Sequence, residues 1–122
     1  MAALMFVSGI VIILGAFGHS IGGVGQVESS LIAHSVEDKL FKLIIAVWYF
    51  AGMCMLAFGL IVLLNWYQIR KGIRTSNFSS LLISALYLCF GIGAIVFSQD
   101  PFFYIFVIIG IVLAVSSWSY KT

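Results

Sequence analysis

The chain has 122 residues, 63% of them hydrophobic and 8% charged, with a formal net charge of +2 and a mean hydropathy of +1.21. A water-soluble domain carries roughly 25% charged residues to solvate its surface. Six basic and four acidic side chains cannot do this, so most of the surface must face lipid. No basic patch exceeds one short loop, which excludes a nucleic-acid-binding role. One small domain fits the length.

The first apolar run extends from Ala2 to about Ile21 and is long enough to cross the roughly 30 Å hydrocarbon layer as a helix. No basic residue precedes its core and no small-x-small cleavage site follows, so it is expected to stay as a helix and not to be removed as a signal peptide. Gly18-His-Ser-Ile-Gly-Gly23 closes it. The glycines at 22, 23 and 25 are expected to end the helix, because glycine weakens helix propagation. Ser8, Gly15, His19 and Gly22 share a stripe, and Gly18 and Gly22 form a small-x-x-x-small pair that lets a neighbouring helix approach closely.

Between the first two spans, Val27, Leu31, Leu40 and Phe41, with Ile32 and Val36 nearby, recur at helical spacing among Ser29, Ser30, Glu37 and Asp38. This predicts a short amphipathic segment at the membrane interface, a lid on the bundle. Ser35 is the expected N-cap of the next helix, with Glu37 and Asp38 in its first turn where the helix dipole favours carboxylates.

The second span, 43–66, is apolar all round, which excludes the alternation of a membrane β-strand. Ile45, Trp48, Gly52, Met55 and Gly59 share a stripe, placing a large aromatic over a notch made by two glycines. Gly91, Ala94 and Ser98 of the third span, 80–98, offer a surface to fill it. Ser76 or Ser79 is expected to cap that third helix. Asp100-Pro101 is a cap followed by proline at the first helical position, so the hairpin into the fourth span, 101–118, should be tight. The sum is an all-α, four-helix membrane bundle.

Arg70, Lys71, Arg74 and Lys121 fall on the side shared by both termini, against Lys39 and Lys42 on the other. The positive-inside tendency then puts both termini in the cytoplasm, in a bacterial inner membrane. Trp66, Tyr67, Trp118 and Tyr120 are expected to form an aromatic belt at the same interface.

No Asp, Glu, Lys or Arg lies in the middle of any span. That sets the chain apart from proton-coupled small multidrug transporters, which need a glutamate in the first helix, and from small fluoride channels with their polar pore. Ionisable groups in spans are functional candidates, so His19, His34, Trp48 and Tyr49 are the candidate ligand-binding residues. Gly15, Gly18, Gly22, Gly52, Gly59 and Gly91 are the candidate packing residues. Two imidazoles from His19 and His34 are able in principle to hold haem or a metal, although nothing in their spacing demands it and no cofactor is the default expectation. His34 also stands one turn from Asp38, as a local pair. Met53-Cys54-Met55 offers soft ligands, but neighbours on a helix diverge by about 100°, so core packing is expected there. Cys54 and Cys89, deep in apolar runs, read as inert core thiols.

His19 at the end of helix one, then Trp48-Tyr49, Gly52 and Gly59 in helix two, resembles certain small four-helix bacterial membrane proteins that are distantly DoxX-like. The resemblance covers the first half of the chain and implies fold and membrane location. Tyr49 stands where such proteins often carry histidine, so no shared metal role is implied. The expected function is a non-enzymatic structural or accessory subunit, packing against a larger membrane complex or against copies of itself. The alternatives are a redox or ligand-binding module for haem, metal or a quinone-like molecule, and a small oligomeric channel or transporter.

Overall fold

The computed structural model describes residues 2–73 and 76–118. Its elements are α1 (Ala2–Phe17), a π-helical turn (Gly18–Gly23), α2 (Val24–Ala33), α3 (Asp38–Arg70), α4 (Phe78–Ser98), a 3₁₀ turn (Pro101–Phe103) and α5 (Tyr104–Trp118). No strand occurs among the described residues. Four helical stretches are long and apolar enough to cross a membrane: Ala2–Ala33, Asp38–Arg70, Phe78–Ser98 and Pro101–Trp118. The chain is a multi-pass integral membrane protein with a four-helix bundle fold. Its many exposed apolar side chains, such as Phe97 at 93%, are what a lipid-facing surface requires.

The first helix does not stop at the glycines. The amphipathic segment is α2, but it continues α1 through the π turn, giving 32 helical residues in sequence. The chain turns only at His34–Glu37. There Ser35, at φ 51°, occupies the left-handed position that closes α2. Its N–H donates to the Ile32 carbonyl at 3.0 Å, and the Val36 N–H donates to the Leu31 carbonyl at 3.1 Å. This pair of bonds is a Schellman closure. Ser35 therefore ends one helix instead of capping the next, and α3 starts at Asp38 with Glu37 before it and no side-chain cap. The end of α3 repeats the device with Gly72 at φ 68°: the Gly72 N–H donates to the Ile69 carbonyl and the Ile73 N–H to the Gln68 carbonyl, both at 3.0 Å.

The expected hairpin boundary holds: the Asp100 carboxylate accepts from the Phe102 N–H at 2.8 Å, with Pro101 in the first turn. Neither serine expected to cap α4 is its N-cap, which is Asn77 without a side-chain cap bond; Ser76, one residue earlier, accepts from the Phe78 N–H at 3.2 Å, and Ser79 turns to α3.

α1 packs along α3, α4 packs along α5, and the two hairpins meet chiefly through α1 and α5. Glycines set the close approaches. A Cβ on Gly59 would lie 3.0 Å from the Gly9 carbonyl oxygen, and one on Gly91 would lie 3.0 Å from the Val107 nitrogen. The notch on α3 is thus filled by α1, not by α4, and Gly91 serves the α4–α5 contact. Met5, Ile12, Val62, Ile83, Tyr87 and Leu113 form the buried core.

All of that core lies toward the end of the bundle that carries Arg70 and Lys71, here called the basic end. The same end holds buried polar glue. The Asn65 amide donates to Ser79 Oγ and to Ser80 Oγ, each at 2.8 Å. The Ser84 hydroxyl donates to the Gly110 carbonyl at 2.8 Å, and the Asn77 amide to the Ser117 carbonyl at 3.0 Å. In lipid such bonds replace part of the hydrophobic driving force. Trp66 packs against Phe6 with ring centroids 4.6 Å apart and planes tilted by 44°, and Arg70 lies over its ring at 5.7 Å. Tyr67 and Trp118 are exposed there, as an aromatic belt requires. Arg74, Tyr120 and Lys121, which also entered the charge and belt arguments, lie outside the described residues.

The hairpins differ in height. At 1.5 Å per residue, the 32- and 33-residue helical stretches of the first hairpin rise about 50 Å, against about 30 Å for the 21- and 18-residue stretches of the second. Asn65, bonded to Ser79 and Ser80, aligns them at the basic end. Counting from that contact puts the tip of the second hairpin, near Asp100, level with Trp48 on α3. Beyond this step only α2 and the start of α3 continue, with Glu28, Glu37 and Asp38. With Asp100 they complete the chain's acidic residues, so this is the acidic end. The Lys42 ammonium pairs with the Asp38 carboxylate there at 2.6 Å.

Candidate binding cleft

At the level of the step, His19 of the π turn and Trp48 of α3 hold each other twice. The Trp48 indole N–H donates to the His19 carbonyl at 2.8 Å. The His19 Nε2–H donates to the Trp48 carbonyl at 3.1 Å, which fixes a proton on Nε2. The rings are stacked, with centroids 4.0 Å apart and planes 14° apart. A side-chain donor reaching a carbonyl of the ladder is a known cause of such irregularities, and the indole supplies one inside the π turn. Two glycines make room: a Cβ on Gly23 would lie 2.8 Å from Trp48 Cζ2, and one on Gly52 would strike Ser20 Oγ. His19, Ser20 and Gly23 of GHSIGG, with Trp48 and Gly52 of α3, are thus the parts of one interhelical lock.

Beside the lock lies a cleft of about 680 Å³. Its mouth carries Gln26, Asp100 and His19, and its walls and floor carry apolar groups such as Val11, Met55, Ile105 and Ile109, with Tyr87 and Ile12 deepest. From Ile12 to Gln26 the first helical stretch advances about 20 Å. The cleft is elongated along that stretch.

Two features of the lining stand out. Gly18 and Gly22 both line the cleft, and a Cβ at either would meet nothing within 4 Å. Tyr87 is 5% exposed, and its hydroxyl is buried without a hydrogen-bond partner. That hydroxyl has almost no accessible surface, so it offers the cleft no polar contact. Among the described residues no Lys or Arg lines the cleft.

The candidate ligand residues therefore separate. His19 and Trp48 come together at the cleft, while Tyr49, 46% exposed, does not line it. His34 accepts no role there: its Nδ1–H donates to the Ser30 carbonyl at 2.8 Å, and Asp38, its expected partner, is taken by Lys42. His19 and His34 sit on one continuous helical path, 15 residues or about 22 Å apart along it, so they cannot share an iron. Among the described residues no group of three or more His, Cys, Asp or Glu side chains is placed to hold a metal. Met53 is 69% exposed and Met55 packs toward Gly15, so the Met-Cys-Met run diverges as its spacing requires.

The sequence did not single out Asn65, Ser80, Ser84 or Tyr87. A signal was present, since Ser80, Ser84, Tyr87 and Gly91 follow helical spacing on α4, but isolated hydroxyls in an apolar run carry no charge to draw notice. Of the packing glycines, Gly52, Gly59 and Gly91 are spent inside this bundle. Gly15 faces Met55, and only Gly18 and Gly22 remain open.

No protein-family model, curated protein sequence or solved structure matches this chain.

Proposed function

We propose that the protein is a membrane-embedded binding protein for an amphipathic molecule, held in the cleft with its polar group at the step and its tail toward Tyr87. The observation that carries this is an elongated cleft with a polar mouth and an apolar floor, at the depth where the shorter hairpin ends. Amphiphile chemistry is graded over the same distance. Binding sites in proteins are commonly concave, apolar and furnished with a few polar groups, and this one is braced by the His19–Trp48 lock. We read the basic end as cytoplasmic, in a bacterial inner membrane, which makes the mouth face outward.

The test uses Trp48 as the reporter, in a Trp66→Phe/Trp118→Phe protein reconstituted in zwitterionic-lipid nanodiscs. A neutral single-chain probe with a brominated tail, bromododecyl maltoside, should quench Trp48 saturably. Gly18→Leu/Gly22→Leu, which fills the open lining, should abolish saturation. Quenching that only grows in proportion to the probe, or that ignores the filled cleft, overturns the proposal.

A second reading, the accessory or self-associating subunit, draws on the lipid-facing side of α4. There Cys89, Gly93, Ala94 and Phe97 line a shallow notch, and a Cβ on Gly93 would meet nothing within 4 Å. Cross-linking through Cys89 in native membranes is its test. Kinship with the DoxX-like proteins is likewise a proposal, resting on His19 and Trp48, whose pairing the lock explains without a metal.

A further inference from the structure

We infer that the cleft selects a cationic head, an alkylammonium, and that Asp100 is the residue that selects it. This rests on the binding reading above and names its ligand class. Three observations point the same way. First, among the described residues Asp100 is the one charged side chain lining the cleft. One of its carboxylate oxygens, Oδ1, is used by the Phe102 N–H, and no ion pair holds the other. The carboxylate is fixed by that cap at the mouth while keeping an acceptor oxygen free.

Second, the opposite charges at this end are placed elsewhere. Lys42 is bound to Asp38, and neither Lys39 nor Lys42 lines the cleft. Glu28, Glu37, Asp38 and Asp100 against Lys39 and Lys42 leave a formal excess of two negative charges at the acidic end. An anionic head would bring like charge to this mouth, whereas an ammonium finds a carboxylate at the edge of a low-dielectric wall, where attraction is less screened than in bulk water.

Third, the wall beside Asp100 is aromatic. Phe102 and Phe106 line the cleft with centroids 6.1 Å apart and planes at 72°, and Phe102 is 63% exposed. Exposed ring faces next to a carboxylate favour an alkylammonium through cation–π attraction. The remaining mouth groups, the Gln26 amide and His19 Nδ1, accept or donate without favouring a negative head. The apolar walls of the cleft take the tail, so the ligand class is an alkylammonium.

The experiment compares three brominated dodecyl probes, with trimethylammonium, maltoside and sulfate heads, by Trp48 quenching in the same nanodiscs. The ammonium probe should saturate at about a fivefold lower membrane mole fraction than the maltoside, and the sulfate should bind most weakly. Asp100→Asn keeps the cap, because asparagine serves that position as well as aspartate does. It should erase the ammonium preference, so that the ammonium and maltoside probes saturate at the same membrane mole fraction. Equal saturation by all three heads, a preference for sulfate, or an ammonium preference that survives Asp100→Asn overturns the assignment of the head while leaving the cleft intact. Saturation by none of the probes overturns the cleft reading itself, so the two failures are distinguishable.

Discussion

The basic half and the acidic half of this bundle solve the same packing problem in opposite ways. Near Arg70 the four helices close on Met5, Ile12, Val62, Ile83 and Leu113; Asn65 joins the two hairpins, and Ser84 and Asn77 tie α4 to α5 within the second. Toward Asp100 the two hairpins part, and Val11, Gly15 and Met55 face Tyr87, Ile105 and Ile109 across the cleft, whose mouth lies where the second hairpin ends. The lesson is that in a bundle without intramembrane charges, close packing at one end and parted hairpins at the other are enough to leave a graded cavity, with no dedicated pore or pocket motif.

The sharpest way to break this comparison is to put the same bulky residue into each half. Gly59→Leu drives a side chain into the Gly9 carbonyl and Ile13, at a crossing where backbone cannot yield. It should cost about 3 kcal/mol and abolish cooperative unfolding of the bundle in a detergent denaturation series. Gly22→Leu adds the same atoms where nothing lies within 4 Å and should leave the midpoint within about 0.5 kcal/mol of the parent. If both variants unfold alike, the acidic half is as closely packed as the basic one and the cleft is not there.

A subtler contrast separates two adjacent glycines. Gly23→Ala meets the Trp48 ring at 2.8 Å, so it should tilt the indole off His19 and cost about 1–2 kcal/mol, the scale of overpacking. Gly22→Ala should be neutral or should stabilise by up to about 1 kcal/mol, since alanine is the better helix former. Thermal melts report the energies, and the Trp48 emission maximum in the single-tryptophan background reports whether the lock itself has moved. An emission shift in Gly22→Ala instead would place the tight side of the turn on the wrong residue.

Much of this was legible in the sequence because lipid imposes simple rules. Four spans, the Asp100-Pro101 hairpin, the notch at Gly52 and Gly59, and the importance of His19 and Trp48 all follow from run length, capping chemistry and stripe geometry. What was not legible depended on contacts between distant residues. Glycines 22, 23 and 25 argued for a helix end, yet the Trp48 indole, 29 residues from His19, supplies a bond inside the turn and lets the helix run on. His34 looked like a partner for His19 until that same continuity put them about 22 Å apart. Asp100 read as a cap alone, and its place at the mouth of the cleft came only from how far the second hairpin reaches.

The smallest expected effect compares the two ends of the first hairpin's helices. α2 and α3 close with the same Schellman geometry, but α3 uses Gly72 and α2 uses Ser35 in the left-handed position. A residue with a Cβ pays about 1 kcal/mol there, so Ser35→Gly should stabilise the protein by up to about 1 kcal/mol and Gly72→Ser should destabilise it by a similar amount. Both residues are exposed, which keeps packing out of the comparison, and amide hydrogen exchange of the last turns of α2 and α3 localises the change. Because the Ser35 turn sits on the part of the first hairpin that stands beyond the second, its tightening should slow exchange in α2 without altering the buried Asn65 and Ser84 contacts. Equal protection before and after Ser35→Gly would mean that α2 is held by the lock at His19 and not by its own C-terminal turn.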